Sequence, residues 1–319
     1  MKRLLFQGLK FFAVGSVLYL LSFFVLTHVR IANRPLIFRT SDYYQWKGGL
    51  AYAKFQEWDP GARWDAIVIG SSHAQRGYDP RTFRERGYRM FNMGSTAQTP
   101  LSTYAILDHY VTRERTGLVI IDLYETPFLK DGLESVSDLT QNMTSDAAAA
   151  ELAASLRDVR ALNMFTLRMM NKNGPAMYKD PTYTGSGFAA KPDSVHGTIH
   201  YDVGRPLVLD DRQKEYFEKC LDLCAQRGLR VVLVTHYYPH QSDSVRHDKF
   251  RAYVNGVIAD FNAKATGTGR LHWFDFAYTH HASDTDHFFD YSHVNAAGAR
   301  LFSEQLLDSL VSSGYLPTR

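Results

Sequence analysis

The sequence predicts a three-layer, doubly wound α/β domain, preceded by a transmembrane helix and interrupted by a long helical and loop insertion. Three observations carry this. Short runs rich in Val, Ile and Leu recur along the chain and end at Gly, Asn, Asp or Thr. Stretches of helical period lie between them. The first 34 residues are apolar and basic, with five Lys or Arg and no Asp or Glu.

The N-terminal element comes first. Lys2, Arg3 and Lys10 precede an uncharged run of 17 residues, 11–27. As a helix this run is about 25 Å long, just short of a hydrocarbon layer of about 30 Å, and residues 4–9 can extend it. A cleavable signal peptide has a shorter apolar stretch and then a small-x-small site. The His-Val-Arg-Ile-Ala-Asn-Arg that follows Thr27 offers none. Residues 1–34 therefore read as a signal anchor that meets the bilayer through 11–27, with the rest of the chain exported to a periplasmic or extracellular side. Arg30 and Arg34 make the charge bias across the span shallow.

Residues 35–63 are aromatic and polar without a period and contain Asp59-Pro60-Gly61, so they are expected to be linker and lead-in. The domain proper is expected over 64–319. Its strands are the runs at 66–69, 88–91, 118–121, 231–234 and, more weakly, 271–274. Runs this short and apolar are buried on both faces, as central parallel strands are. Helices are expected over 99–115, opened by Thr99-Pro100, over 209–227 with Asp210 or Asp211 as cap, over 245–265, and over 296–311 with Asn295 as cap. Strands alternating with helices imply a parallel sheet covered on both sides.

One interval breaks the rhythm. Over a hundred residues separate the third and fourth strands, where a crossover needs roughly a dozen. The excess, 126–208, reads as an insertion near the carboxyl edge of the sheet, helical over 146–170 and a Gly-, Pro- and Tyr-rich loop over 171–205.

Composition narrows the function. With 45% hydrophobic and 22% charged residues the chain is ordinary globular protein. Of its 36 Lys and Arg, five lie in the N-terminal segment, leaving 31 basic against 33 acidic groups. That balance has no basic stripe for nucleic acid. Cys220 and Cys224, spaced C-x3-C on a predicted helix, read as two helix thiols and do not fix the redox compartment.

Three clusters carry chemistry. Gly70-Ser71-Ser72 ends the first strand, where a tight turn can expose a serine hydroxyl as nucleophile. Asp290 stands three residues before His293, just ahead of the last helix. That spacing lets the carboxylate fix the imidazole tautomer while the other ring nitrogen takes the serine proton. Gly94, after the second strand, allows its backbone amide to approach a developing oxyanion. At the same edge of the sheet lie His73, Asp122, Tyr124, Glu125, His236 and Tyr237, the candidate substrate-binding residues. Tyr237 and Tyr238 are suited to stacking on sugar rings. No H-E-x-x-H or comparable ligand spacing occurs, so no metal is expected.

Taken in order, these blocks resemble the SGNH, or GDSL, hydrolase superfamily over most of 64–312. Gly70-Ser71-Ser72 is similar to its first block, Gly94 to its second and Asp290-x-x-His293 to its fifth. The likeness is nearest to membrane-anchored, exported members that work beside membrane-bound O-acyltransferases in teichoic-acid D-alanylation and polysaccharide O-acetylation. It implies a flavodoxin-like sheet, a Ser72–His293–Asp290 triad, an oxyanion hole from the Ser72 and Gly94 amides, and no cofactor. It also implies an esterase or O-acyltransferase acting on cell-surface glycan through an acyl-Ser72 intermediate. The alternative is a non-catalytic accessory subunit of an acyltransferase system that binds or presents glycan. The third block departs from the pattern. Where the superfamily has Gly-x-Asn-Asp, this chain has Asp122-Leu123-Tyr124-Glu125, without the Asn that completes the oxyanion hole.

Overall fold

The computed structural model describes residues 2–31, 34–192, 203–264, 270–279, 281 and 283–319. Part of the predicted insertion (193–202), the last residue of the predicted helix 245–265, and His280 lie outside the described residues. Five strands, β1 (Ala66–Ile69), β2 (Met90–Asn92), β3 (Val119–Asp122), β4 (Val231–Thr235) and β5 (His272–Asp275), form one sheet in the order β2-β1-β3-β4-β5. Every pairing in it is parallel.

Alternation of side chains along these strands feeds two cores. Ile67, Ile69, Val119, Ile121 and Leu233 enter one cluster. Ala66, Val68, Ile120, Val232 and Val234 enter the other. Because both faces are covered, the strands lack a polar side, which is why the sequence shows continuous apolar runs.

The helices follow in chain order. α1 (Lys2–His28) is 27 residues of which only Thr27 is buried. It is the one helix among the described residues long and apolar enough to cross a membrane. α2 (Gly49–Glu57) falls within the segment expected to be linker. It belongs to the domain, since Phe55, 1% exposed, enters the first core cluster. The isolated apolar positions of so short a helix do not stand out in sequence. α3 (Ser72–Gly77) and α4 (Pro80–Glu85) follow β1, and α5 (Pro100–Tyr110) follows β2.

The insertion is more helical than its sequence suggests. It holds α6 (Leu133–Asn142), α7 (Asp146–Ser155) and α8 (Val159–Met170). The predicted single helix 146–170 is two, because Arg157 adopts φ +56° and Asp158 then caps α8 through the Arg160 amide at 2.7 Å. These helices pack on one another and against α2 and α5. Among the described residues, the insertion reaches the cleft described below through its ends, at Thr126, Leu129, Lys130, Arg205 and Pro206. A two-stranded hairpin, Tyr183–Gly185 with Phe188–Ala189, caps β2 through the Asn92 amide, which donates to Ser186 O at 2.9 Å.

α9 (Asp211–Gln226) starts at Asp210, which accepts from the Gln213 amide at 3.1 Å, and its buried thiols Cys220 and Cys224 are free. α10 (Ser244–Lys264) precedes β5, a short turn α11 (Asp284–His287) follows it, and α12 (Ala296–Ser312) ends the domain. Asn295 caps α12, accepting from the Gly298 amide at 2.9 Å. α5, α9 and α10 cover one face of the sheet through Ile106, Phe217 and Phe250. α3, α4 and α12 cover the other through Ala74, Phe83 and Phe302. This strand order reverses direction between β1 and β3, and at such a switch point a crevice opens beyond the strand ends.

Candidate active site

At that crevice the chain turns sharply after β1. Gly70 is required there, since a Cβ would lie 2.7 Å from Asp122 Cβ and 3.0 Å from Ala74 Cβ. Ser71 then caps α3, accepting from the His73 amide at 3.3 Å. Ser72 is the first residue of the helix, with its side chain toward the loop before α12.

That loop carries the partners. Ser72 Oγ lies 2.7 Å from His293 Nε2. His293 Nδ1 lies 2.9 Å from Asp290 Oδ2 and 3.1 Å from Oδ1. The Ser292 and His293 amides each donate to Asp290 Oδ1 at 2.8 Å, so the i to i+3 spacing is closed by a turn around the carboxylate. Burial pushes the Asp290 carboxyl up, but the His293 hydrogen bond and charge, with the two amides, hold it below its ordinary value. Phe289 stacks on His293 at 5.5 Å and carries Arg76 and Lys191 over its own ring at 5.4 and 5.5 Å. Ser72, His293 and Asp290 are thus brought together in one hydrogen-bonded line.

The predicted oxyanion residues divide. The Ser72 amide lies in the first turn of α3, where helix amides lack intrahelical acceptors. The Gly94 amide instead donates to Asn92 Oδ1 at 2.9 Å. Asn92 Nδ2 reaches Ala74 O at 2.6 Å and Tyr78 O at 3.1 Å, which ties the end of β2 to α3. Gly94 serves close packing: a Cβ there would lie 2.6 Å from Ala74 Cβ and 2.7 Å from Gln75 N. The expected oxyanion role of its amide is corrected on this geometry.

A cleft of about 300 Å³ opens beside the triad. His73, Tyr124, Glu125, Tyr238, Arg246, Tyr291 and Ser292 are among its walls. Of the expected substrate-binding residues, His73, Tyr124 and Glu125 therefore face it. His73 lies flat against Tyr124, with ring centroids 3.6 Å apart, and neither of its ring nitrogens has a hydrogen-bond partner among the described residues. Burial first, then His236 and His293, hold its pKa well below the usual histidine range, so the ring is neutral. Glu125 accepts from Tyr238 Oη at 2.6 Å and lies 3.8 Å from Arg246 Nε.

Three expectations fail by position. Asp122 lies beneath the Gly70 turn and accepts from Tyr78 Oη at 2.7 Å, and burial pushes its pKa up to about 7 against the pull of that hydrogen bond. His236 stacks behind His73 at 4.4 Å and is 1% exposed. Tyr237 is 2% exposed and turns away to α12, packing on Phe302 and bonding to Gln305. Tyr238, the next residue, is the ring that reaches the cleft. Past the end of β4 the backbone no longer follows strand alternation, so the sequence could not say which tyrosine faces the site. Arg246, Tyr291 and Ser292 were missed too. Arg246 comes from α10, and its only signal was a position one turn into a helix that starts at the sheet's carboxyl edge. Among the described residues, Asp108, His109 and Glu151 form the one set placed to hold a metal ion, at the surface on α5 and α7.

No protein-family model matches the chain, and no curated protein matches it in sequence. Solved structures resemble the chain only distantly. A Desulfitobacterium hafniense DCB-2 protein, assigned by name to the lipolytic G-D-S-L family, is 11% identical over 76% of this chain and 96% of its own, with a TM-score of 0.40. An α/β hydrolase from the metagenome of Lake Arreo is 16% identical over 82% of this chain and 99% of its own, with a TM-score of 0.38. A GDSL-like lipase from Bacteroides thetaiotaomicron VPI-5482 is 11% identical over 78% and 88%, with a TM-score of 0.34. Likeness this distant carries no argument about chemistry, which rests on the geometry of the site itself.

Proposed function

We propose that this chain is a serine-dependent esterase or O-acyltransferase of the SGNH type, anchored in a membrane by α1 and acting on ester-linked acyl groups of cell-surface glycan. One observation carries the catalytic part: the continuous line from Ser72 Oγ through His293 to Asp290 at 2.7 and 2.9 Å. In this reading Ser72 Oγ attacks the acyl carbonyl carbon and passes its proton to His293 Nε2. Asp290 holds Nδ1–H and stabilises the imidazolium. The Ser72 amide faces the tetrahedral oxyanion, which collapses to acyl-Ser72 as His293 returns the proton to the leaving alkoxide. An acceptor hydroxyl then gives its proton to His293 as its oxygen bonds to the acyl carbon. The second tetrahedral intermediate breaks its bond to Ser72 Oγ as His293 returns the proton to that oxygen. Water makes the reaction hydrolysis, and a sugar hydroxyl makes it transfer. No cofactor takes part.

The glycan assignment draws on the cleft. Tyr124, Tyr238 and Tyr291 give it aromatic walls beside ionic groups, a composition suited to sugar rings. A membrane-bound O-acyltransferase is the partner that would load or receive the acyl group, with the domain on the exported side.

A second reading has one observation in its favour. With the Gly94 amide given to Asn92 and no third-block Asn, the oxyanion hole is thin, as expected of an accessory subunit that binds or presents glycan. Ser72→Ala separates the two. For the enzyme, kcat/KM on p-nitrophenyl acetate falls by roughly 10⁴-fold or more and cellular glycan acylation is lost. Equal turnover by both proteins, or full complementation by the variant, rejects catalysis by Ser72.

A further inference from the structure

α8 has two apolar faces, and among the described residues only one of them is covered. Met164 and Leu167 pack inward, in a cluster with Ile37 and Tyr44 that also receives Phe23 and Leu26 of α1. The outward positions are Val159, Leu162, Thr166, Met169 and Met170. Their four apolar side chains are 43–55% exposed. Thr166 is the only polar member, and its hydroxyl donates back to Leu162 O at 3.0 Å, so the face offers water no donor and one hydroxyl oxygen as acceptor. The exposed positions of α9, by contrast, include Asp211, Glu215, Glu218 and Lys219. A solvent-facing helix keeps charge on its outer face. α8 does not.

The position of α8 says what covers it. Asn163, on its flank, accepts from the Tyr19 hydroxyl of α1 and donates to Tyr44 Oη at 2.8 Å. Tyr19 lies nine residues before the end of α1 at His28, about 13 Å along the helix axis. The whole helix is about 40 Å long, against a hydrocarbon layer of about 30 Å. An α1 that crosses the bilayer therefore carries Tyr19 below its outer boundary and brings α8 to the headgroup layer. In-plane amphipathic helices bury an apolar face at this depth.

We infer that α8 is a second membrane-contacting element, lying in the outer interface beside α1 with Val159, Leu162, Met169 and Met170 among the lipid acyl chains. The inference rests on the anchor reading of α1. Two contacts with the lipid, one across and one along it, fix the tilt of the domain and the height of the cleft above the surface.

The test uses the full chain in phosphatidylcholine–phosphatidylglycerol vesicles. An environment-sensitive fluorophore is placed singly on Leu162→Cys, Met169→Cys, Val14→Cys within α1, and Glu304→Cys on α12. Cys220 and Cys224 are buried, and the unsubstituted chain gives their background. All four substitutions are at exposed positions, and an unchanged circular dichroism spectrum checks folding. Nitroxide-labelled lipid should reduce emission at 162 and 169 by about twofold or more, reduce it also at 14, and leave 304 unchanged. Quenching at 14 with 162 and 169 as water-exposed as 304 overturns the inference and leaves the anchor standing, with a protein partner as the cover for α8. Absence of quenching at 14 overturns the anchor reading, and this inference with it.

Discussion

At the scale of single residues, the site depends on which groups hold Ser72, His293 and Asp290 in line. Asp290 contributes through tautomer and orientation. Asp290→Asn keeps the shape of the turn but presents an amide to His293 Nδ1, so kcat on p-nitrophenyl acetate should fall by roughly 10³- to 10⁴-fold with little change in KM. Asp122 gives a prediction in pH. Its folded pKa is raised from 3.8 to about 7 by burial, despite the Tyr78 hydrogen bond. The folded state thus holds a proton that the unfolded state has lost, and the protein loses stability as pH rises from about 4 to about 7. Asp122→Asn keeps an acceptor for Tyr78 and removes that slope. Denaturant titrations at pH 4 and pH 8 should show the variant gaining on the wild type, by up to roughly 4 kcal/mol at the higher pH. An equal difference at the two pH values contradicts a neutral buried Asp122.

Elements show why those residues meet. Asn92 ends β2 and satisfies the Gly94 amide together with the Ala74 and Tyr78 carbonyls, so it fastens α3 to the sheet. Asn92→Ala removes three hydrogen bonds where Asn92 is fully buried, and should cost roughly 2–4 kcal/mol in chemical unfolding. Turnover should fall further than stability alone predicts, because Ser72 stands at the start of α3. The sequence announced the frame of this arrangement. Strand runs, the Asn295 and Asp210 caps, the Gly70 turn and the Asp290-x-x-His293 spacing are local features, fixed by neighbours within a few residues. It did not announce α2, α6 or the break at Arg157, whose stability comes from packing across the insertion. Nor did it separate Tyr237 from Tyr238, or show that Gly94 would give its amide to Asn92. Those outcomes depend on contacts between segments distant in the chain, and local pattern carries no record of them.

For the whole molecule, a sheet-edge site is joined to a 27-residue helix long and apolar enough to cross a membrane. If α1 is an anchor rather than a cleaved signal, cells should hold the chain at its unprocessed length in the membrane fraction after an alkaline carbonate wash. A shorter, soluble mature form is the contrary outcome. The central claim, however, is that the fold builds an activated serine at the end of β1. Labelling of the intact chain with a fluorophosphonate, mapped by peptide mass spectrometry, tests it most directly. The predicted result is modification at Ser72, absent in Ser72→Ala and strongly slowed in His293→Ala. A folded chain that stays unlabelled, or that labels at another residue, contradicts it.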